Sequence, residues 1–212
     1  MSVRLQGQLL LVGAIGAILA SLFIFLIPGP EGPTGIGSLA TNVVFVLSGV
    51  FLLVGLPALY RAQAKQIGIL GLVGVALLWV ATVLLFLVLS SVQILDTAVP
   101  GSIPHPGGEG PPLLAIIPLI LGVVLTVIGG VMVGITTIRA HVLRASIGWV
   151  ILISSVLLFP MTFVGGNPNG LLGTILMNTD LALFYAGLAW AGAAISFPVK
   201  PTQVSQSSVQ QH

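Results

Sequence analysis

The chain has 212 residues, 57% of them apolar and 5% charged, with a net charge of +2; an ordinary soluble domain has about 45–50% apolar and about 25% charged residues. So few charges cannot solvate a surface of this size, so a water-soluble globule is excluded and the class is integral membrane protein. Basic residues scattered singly make no nucleic-acid patch, and a chain without cysteine holds no disulfide, thiolate metal site or palmitoyl anchor.

Crossing about 30 Å of hydrocarbon takes roughly 20 uncharged helical residues. In chain order, six runs meet that requirement, and the sequence predicts an all-α bundle of six transmembrane helices. Leu9 to Ile27 is the first, closed by Pro28, and its length argues against a cleaved signal peptide. The stretch "IPGPEGPTGIG" follows, with glycine at every third position for a few residues only. That is too short for a triple helix, so it reads as a turn between spans.

Leu39 to Tyr60 is the second span, and "RAQAKQ" is read as the connection to the third, Ile67 to Leu89, after which "SSVQILD" leaves the membrane. A long Pro/Gly-rich connection, "VPGSIPHPGGEGPP", precedes the fourth span, Leu113 to Ile138, with Pro118 in its first turns. "RAHVLR" leads to the fifth, Ile147 to Val164, where Pro160 should free the carbonyl of Val156, with Ser154 and Ser155 on hand as local compensation. After "GGNPNG" the sixth is taken as Leu181 to Phe197, and the polar tail from Lys200 as a short disordered segment. No separate soluble domain is expected.

On this arrangement Arg4, Arg61, Lys65, Arg139, Arg144 and Lys200 all fall on one side, while Glu31, Asp96 and Glu109 fall in the opposite loops. The positive-inside rule makes the basic side cytoplasmic, with both termini there, in a bacterial-type inner or plasma membrane.

Ionisable groups at mid-depth usually mark the working part of a membrane protein. Asp180, beside Asn178, is the nearest case. "NTD" reads either as the N-cap of the sixth helix or, if that helix starts at Leu171, as a site for a polar solute inside the membrane. Small residues at helical spacing, Gly130 with Gly134 and Gly187 with Ala191, mark faces where backbones can approach closely, within the chain or against a partner. Asp96, His105 and Glu109 lack the regular spacing of a metal site, and no phosphate loop, nucleophile elbow or zinc-protease motif is present, so neither metal, cofactor nor enzymatic activity is expected. The sequence therefore points first to a non-enzymatic accessory or assembly protein whose partners are the bilayer and a second copy or another membrane protein. The alternative is a small channel or transporter for a neutral or weakly polar solute.

Overall fold

The computed structural model describes residues 1–26, 36–99, 101–104, 113–165 and 171–197. Most of the expected outer connections and the tail from Lys200 lie outside them. The described elements are helical throughout: α1 Val3–Leu26, α2 Ile36–Gly55, α3 Pro57–Thr82, a π-helical segment Val83–Leu89, α4 Ser90–Ala98, α5 Leu113–Ala140, α6 Ala145–Gly165 and α7 Leu171–Ser196. A helix bonds its backbone within its own segment, which is what a sequence this poor in polar side chains requires. Three helical stretches are long and apolar enough to cross a membrane, Val3–Leu22, Leu39–Ala98 and Leu114–Ala140, and Ala145–Met161 is a shorter apolar helix.

The stretch Leu39–Ala98 is 60 residues long and folds back on itself. α2 passes into α3 almost without interruption: Leu56 keeps helical angles, its N–H donates to Leu52 O at 2.7 Å, and Pro57 occupies the first turn of α3, where a missing N–H is harmless. "RAQAKQ" is helical, so the expected break at Tyr60 is displaced. The reversal comes at Gly68, whose φ of 54° and ψ of −152° are accessible only to glycine. Beyond it the chain returns beside α2: Trp79 Nε1 donates to Leu53 O at 3.1 Å, and Phe86 packs on Gly49. The helix then widens through the π segment, where Ser90 Oγ reaches Leu85 O five residues back at 3.5 Å, and continues through α4. "SSVQILD" is thus helical rather than a loop.

Each helix packs antiparallel on the next through glycines. Gly13 lies against Leu52 across α1 and α2, Gly74 against Gly129 across α3 and α5, Gly134 against Gly148 across α5 and α6, and Gly187 against Ile151 across α6 and α7. Gly192 then lies against Gly7 and Leu11, so α7 packs on α1 and the bundle closes into a ring. Apolar helices gain no hydrophobic drive from one another in lipid, and close backbone contact is what remains to hold them. Inside the ring, Phe45, Phe86, Tyr185 and Phe184 stack edge to face with ring centres 5.4–5.5 Å apart. Outside it the surface is apolar: Ile69, Ile117 and Ile153 are exposed, the reverse of a soluble protein's dressing.

Both prolines lie inside helices, as the runs that contain them lead one to expect. Pro118 is the sixth residue of α5, past the free N–H groups of the first turn, and α6 continues through Pro160 to Gly165. Ser154 Oγ donates to Val150 O at 2.7 Å and Ser155 Oγ to Ile151 O at 2.6 Å, so neither hydroxyl compensates the Val156 carbonyl.

Candidate functional site

The buried hydroxyls of the bundle mostly bond within their own helix. Ser21 donates to Ala17 O, Thr82 to Leu78 O, Thr126 to Gly122 O, Thr136 to Met132 O and Ser196 to Gly192 O, at 2.7–2.9 Å. Such back-bonded groups are content in an apolar interior and call for no ligand. Among the described residues, the fully buried side-chain atoms left without a partner are Gln63 Oε1 and both carboxylate oxygens of Asp180.

Asp180 is 4% exposed and is the tenth residue of α7, roughly 13 Å along the axis at about 1.5 Å per residue. The helix begins at Leu171, so the N-cap reading of "NTD" is corrected: Asp180 lies two turns beyond the free N–H groups that a cap would serve. It shares a stripe with Phe184, Gly187 and Ala191, four, seven and eleven residues on, all buried. Phe184 approaches Gly130 of α5, and Gly187 seats on Ile151 of α6. That register sets Asp180 level with Leu158, two residues before Pro160. Asn178 is also buried, but it is already engaged, and two residues on a helix point about 200° apart. The two are therefore neighbours in sequence rather than two walls of one site.

The opposite end of the ring gathers the polar groups that α7 lacks. Arg61 Nη1 donates to Gln6 Oε1 at 3.0 Å, tying α3 to α1, and Gln63 Nε2 donates to Thr137 Oγ1 at 3.4 Å, tying α3 to α5. Arg4, Lys65, Arg139 and Arg144 are exposed at that same end, and His141 takes a positive φ of 53° just past α5. Between the two ends lies a void of about 10 Å³, lined by Thr82, Leu85, Phe86, Thr126, Phe184 and Tyr185 among others. That is room for about one water molecule.

The small residues singled out by spacing all meet helices of the same chain. Gly130 faces Ser155 and Phe184, Gly134 faces Gly148 and Leu152, Gly187 faces Val150 and Ile151, and Ala191 is fully buried. Of the three residues considered for a metal, His105 and Glu109 lie outside the described residues. Asp96 sits near the end of α4, and among the described residues no group of three His, Asp or Glu could hold an ion. The chain matches no protein-family profile, no curated protein and no solved structure.

Proposed function

We propose that the chain is a six-span membrane protein that carries a small polar solute through its helix ring, with Asp180 as the binding group. The six passes are α1, α2 with the first half of α3, the remainder of α3 with α4, then α5, α6 and α7. Alternating antiparallel contacts, and Gly7 lying against Ser196, favour an even number of passes with both termini on one side. The exposed basic residues at that end favour the cytoplasmic side of a plasma or bacterial inner membrane.

The observation that carries the reading is the enclosed, unpartnered carboxylate of Asp180. An uncompensated carboxylate in an apolar interior costs several kcal/mol on an order-of-magnitude basis, so such a residue is a functional site by default. The aromatic stack of Phe45, Phe86 and Tyr185 fills the ring between Asp180 and the basic end, which corresponds to an occluded state. On this proposal the protein is non-enzymatic, and the carboxylate acts by binding. An assembly role loses its main motive, because Gly130, Gly134, Gly187 and Ala191 are occupied within the chain.

Reconstitution into liposomes, with influx of a panel of small neutral and weakly polar solutes, tests the proposal. Influx above protein-free liposomes that is lost in Asp180→Asn is expected; a panel that gives no influx at all contradicts it.

A further inference from the structure

Asp180 is a buried carboxyl, and no arginine or lysine among the described residues lies within its reach. α6 contains no ionisable residue; α1 contains Arg4 alone, and α3 contains Tyr60, Arg61 and Lys65, all in its first half. Those are helices that pack on α7, and on α7 itself the other ionisable side chain is Tyr185. Arg139 ends α5, and Arg144 precedes α6. Measured along α6, Arg144 is 14 residues from Leu158, the level of Asp180; at about 1.5 Å per residue that is roughly 21 Å, beyond the span of an arginine side chain. Asp96 lies on α4, at the end of the bundle away from the basic residues, and would add negative charge.

A second observation concerns the oxygen atoms at that depth. Pro160 has no N–H, so the carbonyl of Val156 loses its helical donor. Ser154 and Ser155 bond to carbonyls further back and leave it so. That carbonyl lies near the level of Asp180, but Val156 and Pro160 are both exposed, so it sits on the outer face of α6 and is no wall of the site. Calcium and magnesium require six or more oxygens, and one carboxylate among back-bonded hydroxyls does not supply them.

We infer that Asp180 is a site for a monovalent cation, a proton or a sodium ion, which enters the ring to balance the carboxylate and is carried with the solute. This inference rests on the transport reading for its role, though the site itself can be tested without any solute. Dicyclohexylcarbodiimide, an apolar reagent that attacks buried carboxyls, is applied to the full-length protein in detergent, and the adduct is mapped by peptide mass. Modification at Asp180, absent in Asp180→Asn, is expected.

Protection by NaCl but not by KCl assigns the site to sodium. If there is no such protection, proton uptake by proteoliposomes under an imposed potential, lost in Asp180→Asn and kept in Asp180→Glu, assigns it to the proton. Adducts confined to Asp96, Glu31 or Glu109, or modification of Asp180 with neither sodium protection nor proton uptake, overturns the inference. Solute influx measured in the same liposomes separates the two claims. Influx with no cation effect at Asp180 sinks the cation site and leaves transport standing, whereas sodium protection with no solute influx does the reverse.

Discussion

Arg61 and Asp180 are both ionisable groups on helices of one ring, and the fold treats them in opposite ways. Arg61 is exposed at the basic end and bonded to Gln6 of another helix at 3.0 Å, whereas Asp180 is buried with both oxygens unpaired. Near the rim, water and neighbouring side chains compensate a charge, so the pair matters little to either stability or action. In the interior no described residue compensates it, and a residue kept there at a cost to stability is a candidate for binding.

The sharpest way to break this contrast is Asp180→Asn. It should reduce flux by at least about tenfold while the melting temperature in detergent holds or rises, because removing an unpaired buried charge relieves the bundle. A stability loss with flux intact would make Asp180 a structural residue.

Next in size is Gly192→Leu. A Cβ there would lie 2.8 Å from Gly7 O and 2.8 Å from Leu11 N, both backbone atoms that cannot swing away. Overpacking of this kind costs roughly 3 kcal/mol, and size-exclusion chromatography should show the monodisperse peak collapse. A normal elution profile would mean that α7 does not close the ring on α1.

Gly68→Ala should cost about 1–3 kcal/mol although nothing lies within 4 Å of its would-be Cβ. The loss would come from the backbone angles alone. An unchanged melting temperature would place the reversal elsewhere. Smallest is Arg61→Ala, expected to cost less than about 1 kcal/mol and to leave flux unchanged. A large effect there would move the working region to the basic end.

Much of the architecture is visible in the sequence, because hydrocarbon leaves helices as the simplest solution for long uncharged runs. What the sequence hides is where those helices turn. "RAQAKQ" is polar enough to resemble a loop, yet Ala, Gln, Lys and Arg are good helix formers, and the chain turns only at Gly68. Gly68, Gly71 and Gly74 look alike in sequence. Only the first of them needs a positive φ, and Gly74 instead admits α5 to close contact.

The π segment, Val83–Leu89, is seven apolar residues with no composition to set it apart. Asp180 is legible as a residue of interest, but its role depends on whether α7 starts at Leu171 or at Leu181. Asn178 and Asp180 weakened the apolar run enough to suggest the later start, whereas the helix runs from Leu171 straight through both.

The most direct measurement of the whole account is two-sided cysteine labelling, for which this cysteine-free chain is a clean background. In sealed vesicles Lys65→Cys and Arg144→Cys should react with a membrane-impermeant maleimide from one and the same side, and Asp180→Cys should stay unlabelled from both sides until the protein is denatured. Labelling of Lys65→Cys and Arg144→Cys from opposite sides, or of Asp180→Cys as readily as Lys65→Cys, would contradict a six-pass ring that encloses its carboxylate.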